Sequence, residues 1–258
     1  MRYSRMFDLP IMTHCEDRSL SGKGVMNEGY TASCLGLSGM PREAEELQVA
    51  RNILLAEITG ARLHIAHVST GGSVRMVRDA KKRGLQVTCE TCPHYFALTE
   101  EAVEDYNTFA KVNPPLRTQE DVEAILEGIA DGTIDAIASG HSPTSRTDKD
   151  KEFGNAAYGI SALETAFPIS FTKLVETGII SLARLVELMS KKPAEILKLE
   201  QKGEIAVGKD ADLIVIETKG TQIIEPELFA SKAKFSPFAG QEVKGRVVYT
   251  IVGGKIVS

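Results

Sequence analysis

His14 and His67 each follow a short run of apolar and β-branched residues, LPIMT and ARLHIA, and each precedes a polar residue or two. Runs of that kind read as buried strands of a parallel sheet, which places both imidazoles at strand C-terminal ends. In a parallel sheet covered by helices that rim alone is open, and catalytic groups gather on it. Two neutral imidazoles from adjacent strands can ligate zinc at about 2.0–2.1 Å and leave positions for carboxylates and for a water that the metal activates. Two rim histidines bonded to nearby loops is the competing reading, and from these residues alone both stand.

His64 lies three residues before His67, and residues three apart on a strand point to opposite faces. Only one of the pair can then face the site. His67, nearer the rim, is the candidate, and His64 is read as a packed histidine. The same geometry separates Cys89 from Cys92, and no second Cys-x-x-Cys exists, so two buried thiols are expected rather than a zinc knuckle or a redox pair. His94, after Pro93, can line the pocket but has no partner in the sequence. In KVNPPLR (111–117) the pair Pro114-Pro115 stiffens a turn that would display Asn113 and Arg117. Asn113 offers both a donor and an acceptor, suited to a cyclic amide.

Four strands must hold these groups: LPIMTHC (9–15), ARLHIAHV (61–68), LQVTCETC (85–92) and IDAIASG (134–140). Between them lie helical patterns, and the alternation predicts a parallel sheet covered by helices. In the first helix, PREAEELQVARNILLAEITG, the apolar positions Leu47, Ala50, Leu54 and Ile58 mark the expected buried stripe, with Gly60 as its cap. The polar stretch SPTSRTDKDKEFGNAAYG is too long for a turn and reads as a functional or disordered loop. Helices follow at ALETAFPISFTKLVETG, SLARLVELMSKKP and PAEILKLE, the last opening at Pro193. Near residue 200 the pattern changes: KGEIAVGKDADLIVIE predicts two short strands about a Gly-Lys-Asp turn, and the end predicts a hairpin turning at Gly253-Gly254. This divides the chain into residues 1–200 and 201–258.

A hydrophobic share of 43% and a charged share of 25% over 258 residues suit one large globular domain, or one plus a small one. The formal charge of −5, with no basic stripe, argues against a nucleic-acid partner. No segment has the length of apolar chain that crosses a membrane, and the first residues do not read as a secretory signal. With four cysteines and no such signal, a cytoplasmic protein with reduced thiols is expected.

The segments HCED (14–17), NEG (27–29), PREAEELQVARNILLAEITGARLHIAHVST (41–70), VTCETCPHY (87–95), KVNPPLR (111–117), DGTIDAIASGH (131–141), GISALETA (159–166) and GKDADLIVI (208–216) together resemble bacterial dihydroorotases, in the family's order over nearly the whole chain. The resemblance implies an α/β fold: part of a (β/α)₈ TIM barrel of the metal-dependent amidohydrolase type, strands five to eight with their helices, plus a C-terminal portion of a small β-sandwich. It implies a zinc-dependent hydrolase of cyclic amides that interconverts dihydroorotate and N-carbamoyl-L-aspartate in pyrimidine synthesis. His14 matches the metal-binding histidine after the fifth strand, His67 the one after the sixth, and Asn113 a substrate-binding asparagine.

The departures from that pattern matter equally. The family's His-x-His metal motif, its first four strands, its substrate-binding arginine and its bridging carboxylate or carboxylated lysine are not among these residues, so the chain is expected to be a C-terminal part that lacks the first half of the barrel. Where the family has Ser/Thr-Asp-His-Ala-Pro-His, this chain has Ser139-Gly140-His141-Ser142-Pro143-Thr144. Gly140 replaces the aspartate that ligates metal and shuttles the proton, and Thr144 replaces a substrate-binding histidine. His141 is a substitute ligand only if it turns inward, and alternation along a strand would point it away. Zinc binding is therefore expected to be weak or absent, and the chain alone inactive. A non-catalytic structural partner, for instance of aspartate transcarbamoylase, is the second reading. A hydantoinase or allantoinase relative is the third, and the KVNPPLR and NEG segments speak against it. An open half-barrel would leave an apolar face and two sheet edges to be covered, so a homodimer or larger assembly is expected.

Overall fold

The computed structural model describes residues 1–258. Strands β1 (Ile11–His14), β4 (Leu63–Ala66), β5 (Val87–Thr91) and β6 (Ala136–Ile137) form one parallel sheet in the order β1-β4-β5-β6. All four predicted strands are present. The last is short for a physical reason: the Asp135 carboxylate, held by Lys81 at 2.6 Å, takes the Cys89 N–H at 2.9 Å where a ladder carbonyl would otherwise sit. Between β1 and β4 the two-residue strands β2 (Met26–Asn27) and β3 (Gly39–Met40) pair with each other.

Helices Glu43–Thr59, Gly71–Lys82 and Gln119–Ala130 connect these strands. The first ends at Gly60 in the left-handed region (φ +63°), where a residue without Cβ is unstrained. Its orientation differs from expectation. Leu47, Leu54 and Ile58 face solvent, and a second stripe, Val49, Ile53 and Ala56, is buried in the hydrophobic core shared with the sheet. The helix carries two apolar stripes, and the one with the smaller side chains fits closer to the sheet.

The opposite face of the sheet carries Met12, His64, Thr88 and Glu90. Register pairs Met12 with His64 and His64 with Thr88, and Glu90 follows two residues on, which returns it to the same side. An apolar inward face was expected, and most of these residues are polar.

The polar stretch after β6 is ordered by two buried lysines. Lys111 Nζ donates to the carbonyls of Phe153 (2.6 Å), Gly154 (3.1 Å) and Ala156 (2.8 Å), and Lys149 Nζ to those of Thr108 (2.9 Å) and Lys111 (3.1 Å). Five carbonyls thus satisfy two ammonium groups that no carboxylate neutralises, fastening this loop beside the Asn113 turn. Further along, the predicted break at Pro193 is absent: Leu182–Val186 runs through a wide π-turn, Glu187–Lys191, into Lys192–Leu197. The longer hydrogen-bond spacing of that turn accommodates the missing proline N–H.

Of the two strands expected about the Gly-Lys-Asp turn only the second forms, as β7 (Leu213–Ile223). Lys202 instead ties Asp210 (2.9 Å) and Asp212 into a charged turn. Strand β7 pairs antiparallel with β8 (Glu242–Val252), which turns at Gly253-Gly254 into β9 (Lys255–Ile256) as predicted. The base of this sheet is joined to Phe171–Val175, a wide π-turn that continues the helix Leu163–Ser170, by Thr172 Oγ1, which donates to the Lys244 carbonyl (3.2 Å) and accepts from the Lys244 N–H (2.8 Å). All four cysteines are free, as expected. No helix is long and apolar enough to cross a membrane.

Candidate active site

At the C-terminal ends of the parallel strands lies a cavity of about 480 Å³, into which His14, His67, His94, Asn113, Gly140 and His141 all face. No lysine or arginine lines it. His14 closes β1, and its ring centroid lies 6.0 Å from that of His67, with the planes at 65°. Two imidazoles bound tetrahedrally to one zinc ion would have centroids about 5 Å apart, from Zn–N bonds of about 2.0–2.1 Å, so the pair is close to, but wider than, the spacing a shared tetrahedral cation needs, and the rings would have to close by roughly 1 Å.

His67 reaches this place by a route alternation does not foresee. Strand β4 stops at Ala66, and His67 sits in the left-handed region (φ +59°), costly for a residue with a Cβ. Its Nδ1 therefore comes to 3.5 Å from Glu90 Oε1 and 3.2 Å from Cys92 Sγ, leaving Nε2 for the cavity. His64, buried as expected, nevertheless meets the same carboxylate: its Nε2 lies 3.3 Å from Glu90 Oε2 and its Nδ1 2.9 Å from Thr88 Oγ1. A carboxylate behind the inner nitrogen of an imidazole fixes its orientation and tautomer, the arrangement that tunes metal-ligating histidines. Burial, with His14 and His64 nearby, holds His67 below the ordinary imidazole range in spite of Glu90.

Holding His67 in this strained position takes a buried network. Glu45, in the first turn of its helix, accepts from the Ser69 N–H (3.1 Å), the Thr70 N–H (3.2 Å), Thr70 Oγ1 (3.2 Å) and Ser69 Oγ. Arg117 Nε donates to Ser69 Oγ at 3.2 Å, and its Nη1 donates to Asn27 Oδ1 (2.8 Å) and to the Met40 carbonyl (2.9 Å). Arg117 is thus not displayed on the turn. It is only 3% exposed and ties the NPPLR turn to the His67 loop and to β2 and β3.

Asn113 is displayed. Its Nδ2 donates to Glu16 Oε2 at 3.1 Å, and its Oδ1 is buried without a partner. Burial alone would raise the Glu16 carboxyl, but donors Ser21 and Asn113, with His14 and Arg18, hold it below the usual carboxylate range. Its Oε2 lies 4.0 Å from His14 Nε2. The HCED segment contains Glu16 and the VTCETC segment Glu90, yet nothing in residue type marked either as part of the site.

His94 also lines the cavity, packed against Tyr95 with centroids 4.2 Å apart and the ring planes tilted at 58°, and its Nδ1 is buried without a partner. Burial pushes its pKa down to about 3, so the ring is neutral. His141 turns toward the cavity, contrary to the alternation argument, because the strand ends at Ile137 and Gly140 is left-handed (φ +62°). Its Nδ1 is occupied by the backbone N–H of Ala162 at 3.0 Å. Thr144 Oγ1 is buried and unpartnered.

The residues present do not by themselves fit a catalytic zinc ion. No three His, Cys, Asp or Glu side chains lie close enough to hold a metal, whereas catalytic zinc usually has three protein ligands. His14 and His67 supply two, and Gly140 supplies none.

A dihydroorotase of Acetivibrio thermocellus is 49% identical over 257 residues, which is 100% of this chain and 60% of its own length. One of Caldanaerobacter subterraneus is 52% identical over 256 residues, covering 99% of this chain and 59% of its own. This chain therefore spans about 60% of the length of these relatives. Among solved structures, the L-hydantoinase (dihydropyrimidinase) of Arthrobacter aurescens superposes with a TM-score of 0.89 at 30% identity, over 100% of this chain and 58% of its own. The dihydropyrimidinase of Brevibacillus agri gives 0.89 at 26%, over 99% and 58%. The family model of the amidohydrolases matches residues 1–257, and the chain belongs to that family.

Proposed function

We propose that this is a dihydroorotase-type polypeptide, of the enzymes that reversibly open dihydroorotate to N-carbamoyl-L-aspartate in pyrimidine synthesis, with a site too incomplete for catalysis by these residues alone. The observation that carries it is identity near one half to dihydroorotases along the entire chain, against 26–30% to the hydantoinase and dihydropyrimidinase structures above. In this reading the parallel sheet is strands five to eight of a (β/α)₈ barrel within residues 1–200, and residues 201–258 are a portion of a β-sandwich. His14 and His67 are its share of the metal ligands, and Asn113 is its contact to the cyclic amide. A cytoplasmic setting follows from that metabolic role.

Gly140 favours a second reading, a non-catalytic dihydroorotase-like partner in an assembly, such as one with aspartate transcarbamoylase. A glycine can neither accept a proton nor bind a metal, and a positioned base is typically worth ~10²–10⁴-fold. Hydrolysis of dihydroorotate by the purified chain, followed by the loss of its ultraviolet absorbance with and without added zinc, tests the first reading. No rate above the uncatalysed one is expected. A rate that grows with zinc and falls in a His67→Ala variant would show a complete site.

A further inference from the structure

Gly140 leaves more than an absent carboxylate. Its backbone is left-handed, and an ideal Cβ built on it would lie 2.6 Å from His94 Cε1, 2.8 Å from Cys92 Sγ and 3.3 Å from Cys92 Cβ. Real Cβ atoms do not approach other heavy atoms that closely, so both neighbours would have to move. Neither is the loose end of a long side chain. Cys92 is fully buried, and its Sγ is engaged with His67 Nδ1 at 3.2 Å. His94 is 3% exposed and packed on the Tyr95 ring. Close-packed interiors of this kind resist an added methyl group.

We infer that Cys92 and His94 occupy the space into which a side chain at position 140 would project, so that the pocket is closed to a third metal ligand by packing as well as by the loss of the carboxylate. The His94 ring makes the closest contact, and the neighbour whose trimming can relieve it is Cys92. It abuts position 140 on one side and holds His67 on the other, so its removal opens room for a new side chain and gives the His94 ring somewhere to go. The site is then rebuilt around glycine rather than damaged at one position. Replacing Gly140 with aspartate does not restore metal binding, whereas replacing it in a chain that also lacks the Cys92 thiol does. This deepens the proposed reading, which supplies the choice of a zinc-type cation as the probe, while the packing itself can be tested without any metal.

The experiment titrates Co²⁺, whose tetrahedral complexes absorb in the visible, into the chain, Gly140→Asp, Cys92→Ala/Gly140→Asp, and the latter with His67→Ala. Gly140→Asp should bind no more tightly than the unaltered chain. The Cys92→Ala/Gly140→Asp protein should bind at least about tenfold more tightly, the scale on which groups around a metal alter its affinity, and lose that gain with His67→Ala. Equal affinity of the single and the double variant, or no gain in the double, overturns the inference. Thermal melts of Gly140→Ala, Cys92→Ala and their combination separate packing from metal and cover the case in which Gly140→Asp does not fold. The combined loss in Tm should be smaller than the sum of the single losses, and strict additivity overturns the packing claim whatever the family reading.

Discussion

The carboxylate of Glu45 accepts the backbone N–H of Ser69 at 3.1 Å, and through that bond one helix fixes the loop on which His67 is held in a left-handed conformation. Glu45 is 3% exposed, and Arg117 binds the same Ser69 hydroxyl, so the buried carboxylate and guanidinium depend on each other.

Removing one member of such a network leaves buried donors and a charge unsatisfied. Glu45→Ala should therefore cost about 2–4 kcal/mol of folding stability, and Glu45→Gln, which keeps part of the acceptor set, should cost less. Urea denaturation measures both. A Glu45→Ala protein as stable as the parent would mean that the loop is held by other contacts.

Lys149 provides a pH test. Burial, with Lys111 nearby, pushes its pKa down from 10.5 to about 8. Between those values the unfolded chain holds the proton that the folded chain has lost, so this lysine makes stability rise with pH across that window. The buried thiols Cys89 and Cys92, raised by burial, pull the other way, because the unfolded chain ionises first. The readable quantity is thus the difference between the parent and Lys149→Met, measured by denaturation at several pH values. It should move in the parent's favour from pH 8 to 10.5, and a difference independent of pH would contradict the assignment.

The association state follows from the sheet. Strands β1 and β6 are its two edges, and Met12 on β1 is half exposed, as are Leu9 and Phe7 just before it. Unpaired edges beside apolar side chains seek cover. A dimer or larger assembly is expected at micromolar concentration in sedimentation, with an interface above about 2,000 Å². Met12→Lys should shift it toward monomer, and a monomeric parent with cooperative unfolding would contradict this.

Short apolar, β-branched runs ending in polar residues were enough to place β1, β4, β5 and β6, and with them His14 and the neighbourhood of His67. What alternation could not foresee lies just beyond the strand ends. His67 and Gly140 both adopt left-handed backbone conformations, which bring His67 onto the Glu90 carboxylate beside His64 and turn His141 toward the cavity. Arg117, Lys111 and Lys149 look like surface charges in the sequence. They are buried because backbone carbonyls and side chains from distant segments satisfy them, a tertiary property that local pattern does not carry. The helix Glu43–Thr59 had two apolar stripes to choose from, and only the packed core shows which one the sheet accepts.

The measurement that bears most directly on the central claim is zinc content after expression in zinc-supplemented medium, purification and exhaustive dialysis, by elemental analysis. With His14 and His67 as the two ligands turned to the cavity and no group of three His, Cys, Asp or Glu side chains to hold a metal, zinc should fall far below one ion per chain. Near-stoichiometric zinc that disappears in His67→Ala would contradict the account and show that the site finds a third ligand within these residues.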